Sequence, residues 1–324
     1  MLSLPALYSL RRFYQQAPWT MVGRPEILSL LLHRFYIQEA VPIHQRAWSA
    51  LYHPEIPLTD LMIDYLKPFR KIFFFSAKEP ESLILRFKEA GIQSLIWIPS
   101  FPDTRKKIPL PFLQREVLAD LEVPWLDSRQ ILFPSQEDLL RGRTCLEQSG
   151  LDPDRGKPLV AIHPGSGSTP KNWPLKSFLE VASGLVEQRQ GRPFFILGPV
   201  EKERNPHSVE GIREKGFILI EELPLPLLAG VLKACTGYLG NDSGVSHLAA
   251  VLGLPALVLF GPTDPLLWGP SGKQARLISA SISCAPCDQE TMKTCPEQKC
   301  LSTLSVPEVL KAVQTIIPLI PSEE

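Results

Sequence analysis

Between residues 159 and 260 the chain carries five short, almost uninterrupted apolar runs, at 159–163, 193–197, 217–220, 237–240 and 256–260, separated by stretches of helical periodicity. A strand buried on both faces reads as a continuous apolar run, because neither face meets water. Five such runs alternating with helices predict a doubly wound α/β domain around a parallel sheet. Ligands of such sheets sit beyond the carboxyl ends of the strands. Three polar, glycine-containing segments fall at that edge: His163-Pro164-Gly165-Ser166-Gly167-Ser168, Gly198-Pro199-Val200-Glu201, and Asn241 to His247.

The last of these passes from strand to helix. Asn241 and Asp242 are good N-cap types, and the helix opening at Ser243-Gly244 has first-turn amides without intrahelical partners at the positive end of its dipole. Such an end attracts anions, and Gly244 leaves the backbone open to a ligand. Ser243 and His247 are four residues apart and share a helix face. The plainer alternative is a capped turn whose histidine merely covers the helix. In the first segment Gly165 and Gly167 expose amides, Ser166 and Ser168 add hydroxyls, and Lys171 adds a positive charge, which are the parts of a phosphate site. It is no Walker A loop, because no glycine directly precedes Lys171 and Asn172 stands in place of Ser/Thr; the third glycine of a dinucleotide fingerprint is also lacking. Two such loops on one sheet edge exceed what a core requires.

The first half reads as helices at 4–14, 58–66, 81–90 and 110–121 with strands at 19–23, 71–75 and 94–98. The last two strands and the helix between them make a βαβ unit in a buried parallel sheet. Residues 123–134 are irregular and bounded by proline, so the domain boundary is placed there, giving domains 1–128 and 135–324. A length of 324 residues is that of two domains. With 34 Lys+Arg against 34 Asp+Glu, no global basic field points to nucleic acid as a partner. The longest apolar run, 248–260, is too short for a membrane span, and Arg11 and Arg12 follow rather than precede the first apolar residues, so no secretory leader is expected and the compartment is read as cytoplasmic. The 33 prolines accompany 44% hydrophobic residues, a composition of stiff loops rather than disorder.

The order and spacing of His163-Pro-Gly-Ser-Gly-Ser, Lys171-Asn-Trp-Pro and Asn241-Asp-Ser-Gly-Val-Ser-His247 resemble glycosyltransferase family 9, the ADP-heptose:lipopolysaccharide heptosyltransferases. The first half resembles the family more weakly, through Leu4-Pro5-Ala6-Leu7, Arg11-Arg12 and Gly23-Arg24-Pro25. The resemblance implies a GT-B fold, two Rossmann-like doubly wound parallel-sheet domains facing across a cleft, with the acceptor side in the first and the nucleotide-sugar in the second. It implies that Asp242, Ser243, Gly244 and His247 hold the diphosphate and its sugar, and that Ser166, Gly167 and Lys171 reach the phosphates. Lys171 would also stabilise the leaving group, and Glu201 would contact ribose or base, with Glu203 as competitor. The donor would be ADP-heptose-like, no cofactor would be required, and the acceptor would be a lipopolysaccharide core or glycolipid at the cytoplasmic face of the inner membrane. Members of the family begin with a strand and a Gly-Asp loop whose Asp is proposed as the base. Both are missing from the start of this sequence, so either the true start lies upstream or the base has been lost. An incomplete chain is the expectation, and neighbouring strand edges would then be exposed.

Cys284, Cys287, Cys295 and Cys300 lie within seventeen residues. A reduced structural set is expected, with a zinc site as the alternative, because the gaps do not match finger spacings and no histidine joins them. Cys145 and Cys235 read as small core residues, and His33, His44, His53 and His207 as surface or satisfied histidines. Phe73-Phe74-Phe75 reads as a strand, and Trp173 and Trp268 as core. The leading function is transfer of a sugar such as heptose. A catalytically silent nucleotide-sugar-binding protein and a GT-B-type sugar-nucleotide epimerase are the alternatives.

Overall fold

The computed structural model describes residues 1–44, 46–53, 55–92, 94–204 and 207–318. The chain divides into two compact units, Leu2–Leu126 and the stretch from Asp127 onward. Residues 319–324, the end of the expected second domain, lie outside the described residues.

In the amino-terminal unit, β1 (Thr20–Gly23) pairs with β2 (Glu39–Pro42) and β3 (Ile72–Ser76) with β4 (Leu95–Pro99), both in parallel. Among the described residues these are two separate two-stranded sheets. β3, helix Glu81–Glu89 and β4 form the expected βαβ unit, shifted by one residue from its predicted ends. It is not fully buried: every residue of β3 is half-exposed, and only Ile98 and Pro99 of β4 are enclosed. A two-stranded sheet has an open edge on each strand and little area for helices to cover. One core gathers Trp48, Met62, Phe87 and Ile92; another gathers Ala6, Leu10, Ile98 and Leu118, with Trp19 stacked on Phe73 at 5.7 Å. β2, only four residues long and ending in Pro42, was not anticipated, nor was helix Arg46–Tyr52 that buries Trp48 and Leu51.

The second unit holds β5 (Leu159–His163), β6 (Arg192–Leu197), β7 (Leu219–Glu221), β8 (Gly237–Asn241), β9 (Ala256–Phe260) and β10 (Ala275–Ser279) in one parallel sheet, ordered β10-β9-β8-β5-β6-β7. β5, β8 and β9 are buried along their whole length. The apolar side chains of Val160, Ile162, Phe195, Leu239 and Leu257 pack with Phe178 of helix Leu175–Glu187, each such burial contributing roughly 1.5–3 kcal/mol. β10 was not anticipated, because it is a half-exposed edge strand carrying Arg276.

The strand order positions the site. From β5 the chain winds outward through β6 and β7, then crosses to the other side of β5 and winds outward again through β8, β9 and β10. The loops after β5 and β8 therefore leave the sheet in opposite directions and open a crevice, the switch point where such sheets bind ligands. Residues before β5 brace this side of the unit, with the amides of Ile131 and Leu132 donating to the Val251 carbonyl at the end of helix Gly244–Val251, at 2.9 and 3.0 Å.

Candidate functional site

Asn241 ends β8 and is wholly buried. Its Nδ2 donates to the Pro164 carbonyl at 2.7 Å, and its Oδ1 accepts from the Trp173 amide at 3.0 Å. One side chain thus pins both ends of the loop after β5. The N-cap of the next helix is Ser243, not Asn241 or Asp242: its Oγ accepts from the Ser246 amide at 3.3 Å. Asn241 is recruited by the loop instead. The His247 amide donates to the Ser243 carbonyl at 3.2 Å, so among the described residues the open amides of the first turn are those of Gly244 and Val245. A Cβ placed on Gly244 would meet nothing within 4 Å, so the space over this helix end is open.

Lys171 Nζ lies 3.2 Å from Asp242 Oδ2, which also accepts from the Thr263 hydroxyl at 2.8 Å. The Lys171 side chain is 19% exposed and that of Asp242 8%. Thr263, on the loop after β9, was missed by sequence reasoning; its signal is a hydroxyl just beyond the carboxyl end of a buried strand. His247 is nearly buried, and burial pushes its pKa from 6.5 down to about 4, with Asp242 pulling the other way and Lys171 reinforcing the fall. At neutral pH it is a neutral imidazole, not a cation, and its one N–H is taken by the Trp268 carbonyl.

Beneath the loop lies a second buried set, of which sequence reasoning singled out only Ser243 and Glu201. His163 Nδ1 is 3.4 Å from Ser243 Oγ, and its Nε2 is 3.8 Å from Glu201 Oε1. Ser243 Oγ is 3.2 Å from Ser246 Oγ, which lies 2.9 Å from the Tyr238 hydroxyl and donates to the Asn241 carbonyl at 2.5 Å. Burial lowers the His163 pKa, opposed by Glu201, and raises that of Tyr238. Both groups are therefore neutral, as a low-dielectric network requires.

The structure separates the predicted site residues by what is already engaged. Lys171, Asp242, Ser243, Gly244 and His247 converge at the crevice. The Ser166 hydroxyl is occupied within its own turn, donating to the Ser168 carbonyl at 2.6 Å and accepting from the Ser168 amide at 3.2 Å. Gly167 is exposed, and a Cβ there would meet nothing within 4 Å. Glu201, in helix Pro199–Arg204, is mostly enclosed, and its Oε2 accepts from the Gly198 amide at 3.0 Å. Gly165 is required there, because a Cβ would stand 2.1 Å from Glu201 Cγ. Glu203 is exposed. Trp173 is a core residue, 1% exposed, donating to the Leu304 carbonyl at 3.1 Å and packed edge-on to Phe178.

Cys284 is exposed, Cys287 and Cys295 half-buried and Cys300 buried, and all four are free thiols. Burial raises the Cys287 and Cys300 pKa values, and the neighbouring thiols add to this. Among the described residues no three His, Cys, Asp or Glu side chains stand together so as to hold a metal ion.

The fold of the whole chain is of the GT-B class. The crystal structure of the glycosyl transferase family 9 protein from Veillonella parvula superposes on it with a TM-score of 0.75, covering 97% of this chain and 92% of that one at 21% identity. The structure of the Escherichia coli ADP-heptose lipopolysaccharide heptosyltransferase II gives a TM-score of 0.67 over 98% and 94% of the two chains at 20% identity. Residues 130–300 match the model of glycosyltransferase family 9 (heptosyltransferase), and the chain belongs to that family. Lipopolysaccharide heptosyltransferase 1 of Pseudomonas aeruginosa is 31% identical over 147 residues, which are 45% of this chain and 40% of that protein. The chain spans about half the length of the curated relatives it matches. Among the described residues no helix is long and apolar enough to cross a membrane.

Proposed function

We propose that the protein is a glycosyltransferase in which the second unit holds a nucleoside diphosphate sugar at the crevice between β5 and β8, and the amino-terminal unit serves the acceptor. The donor is read as ADP-heptose and the acceptor as a lipopolysaccharide, a reading that the names of its relatives support. The observation that carries this reading is the Lys171–Asp242 pair set beside the open amides of Gly244 and Val245.

In transfer, the bond from the sugar C1 to the β-phosphate oxygen breaks and its electron pair stays on the phosphate. The acceptor oxygen bonds to C1 and its proton passes to the leaving diphosphate or to solvent, with no base of this chain assigned. The growing negative charge falls where Lys171 and the two amides can meet it, so contacts already made to the donor diphosphate strengthen in the transition state. Asp242 is an anion and does not hold phosphate itself; it orients Lys171 and accepts from a sugar hydroxyl. The amide-bearing loop at Gly167 adds donors to the diphosphate, Ser166 shapes that loop through its turn, and Ser243 presents the helix end. His247, its one N–H held by the Trp268 carbonyl, offers its other nitrogen as an acceptor to a sugar hydroxyl. Ribose is assigned to Glu201 through Oε1, the oxygen whose nearest ionisable neighbour is His163 at 3.8 Å.

Titration calorimetry with ADP, ADP-sugars and UDP-sugars tests the donor half. Heat is expected with the adenosine series and is expected to fall sharply in Lys171→Ala. A folded sample that binds none of these nucleotides would overturn the reading.

A further inference from the structure

β8 and β9 pair in parallel with Asn241 opposite Leu259, so Asp242 leaves β8 beside the chain that runs on through Phe260 to Gly261-Pro262-Thr263-Asp264. The Asp242 amide donates to the Leu259 carbonyl at 3.0 Å, which ties the two strand ends together. The loop after β9 is itself held on both sides of Thr263. Before it, a Cβ on Gly261 would stand 2.5 Å from Leu301 Cγ, so the backbone lies flat against that side chain. The Pro262 carbonyl accepts from the Cys287 amide at 2.7 Å. After it, Asp264 caps helix Pro265–Trp268, its Oδ1 accepting from the Leu266 amide at 2.9 Å.

Two donors meet on one oxygen. Asp242 Oδ2 accepts from the Thr263 hydroxyl at 2.8 Å and faces Lys171 Nζ at 3.2 Å. Among the described residues Oδ1 accepts from no group, and it keeps contact with solvent. A carboxylate is planar, so two donors that fix one oxygen also fix where the other points. An ammonium carries three N–H donors, so Lys171 can keep Asp242 and still reach a diphosphate. Its flexible four-carbon stem makes it the looser anchor of the two. Threonine, short and stiff at χ1, is the firmer one. The same segment reaches His247, whose N–H is held by the Trp268 carbonyl at the far end of the loop. Both acceptors assigned to the sugar, Asp242 Oδ1 and the free nitrogen of His247, thus take their orientation from residues 263–268.

The geometry points to Thr263 as a positioning residue for the donor sugar: its hydroxyl fixes Asp242 Oδ2 so that Oδ1 is aimed at a sugar hydroxyl. Thr263 acts through Asp242 and not on the diphosphate. The loop after β9 then carries preference for the sugar, while Lys171 and the amides of Gly244 and Val245 carry affinity for the diphosphate. This inference deepens the donor reading and rests on its assignment of Asp242 to the sugar.

The experiment is calorimetry with ADP and with ADP-heptose on the full chain and on Thr263→Val, Thr263→Ser, Asp242→Ala and the Thr263→Val/Asp242→Ala double variant. The quantity read is the ratio of the two affinities. Thr263→Val keeps the shape of the side chain and removes the hydroxyl, and it should lower the preference for ADP-heptose about fivefold to tenfold with ADP affinity held. Thr263→Ser, which restores the hydroxyl, should restore the ratio. In the Asp242→Ala background Thr263→Val should change nothing further, because a residue that acts through another has no effect once that other is gone. An unchanged ratio in Thr263→Val would overturn the inference, as would an equal loss of both ligands. A further loss in the double variant would overturn it too, by giving Thr263 a route that bypasses Asp242. If the ratio in Asp242→Ala itself were unchanged, the sugar assignment of Asp242 would fall and this inference with it. A lowered ratio there beside an unchanged one in Thr263→Val overturns this inference alone. Thr263→Ala, a smaller side chain, supplies the same comparison if Thr263→Val does not fold.

Discussion

The run Phe73-Phe74-Phe75 in β3 is as apolar as Val160-Ala161-Ile162 in β5, yet β3 is half-exposed throughout and β5 is buried at every residue. The difference lies in the sheet and not in the strand. β5 has β6 on one edge and β8 on the other, whereas among the described residues β3 has only β4. Burial of a parallel strand thus depends on how many neighbours the sheet supplies, which one strand's composition does not report. The residues at the carboxyl edge of the wide sheet stand on strands that are buried and paired on both edges, which holds the site in place.

The sharpest way to break this comparison is to delete one ring from each unit. Phe195 of β6 is fully buried, and Phe195→Ala should cost about 3–5 kcal/mol, the usual range for a large core truncation. Phe74→Ala, in half-exposed β3, should cost less than about half of that, because part of its surface already meets water. Denaturant unfolding of both variants measures this. Equal losses would show that the two-stranded pairs are packed as firmly as the six-stranded sheet.

A second effect is confined to the buried site and sets in with acid. His247 titrates near 6.5 when unfolded and near 4 when folded. Over that window the unfolded state binds the extra proton, so stability rises with pH between 4 and 6.5 and is lost as pH falls through it. The loss amounts to on the order of 3 kcal/mol at most. His247→Gln should flatten the fall in melting temperature over this range, whereas an unchanged profile would remove His247 as its source. A bound diphosphate favours the imidazolium, so donor binding should take up protons, visible as a buffer-dependent calorimetric enthalpy.

How much of this was legible in the sequence follows from how far apart the interacting residues are. β9 was read at 256–260 and β5 at 159–163 because each is a short, closed apolar run. Lys171 and Asp242 were nominated by residue type on two loops, but their 3.2 Å pairing spans 71 residues and has no local signature. Asn241 was read as a cap because nothing nearby in sequence shows that it is claimed by Pro164 and Trp173, 77 and 68 residues away. His163 escaped for the same reason, its neighbours Glu201 and Ser243 being brought in by two other strands. β2 and β10 escaped because short edge strands with Pro42 or Arg276 lack the apolar run that marks a central one.

The smallest stability effect is expected where the two loops meet, and it should be asymmetric. In Asp242→Ala the partner left behind is Lys171, 19% exposed on a loop, whose ammonium can turn to water, so the cost should stay within about 1 kcal/mol. In Lys171→Ala the partner left behind is Asp242, 8% exposed, which keeps the Thr263 hydroxyl but loses its cation, so the cost should be larger, about 1–2 kcal/mol. Ligand binding should divide differently. Lys171→Ala should weaken ADP and ADP-sugar alike, by roughly 10–100-fold for a lost charge-assisted contact. Asp242→Ala should leave ADP affinity equal or higher, since it frees Lys171 and removes a negative charge, while weakening the ADP-sugar through the lost hydroxyl acceptor. Calorimetry with both ligands on both variants separates these outcomes. If Asp242→Ala lost ADP as completely as Lys171→Ala did, the aspartate's place would be with the phosphates or the loop's shape, and its assignment to the sugar would fall.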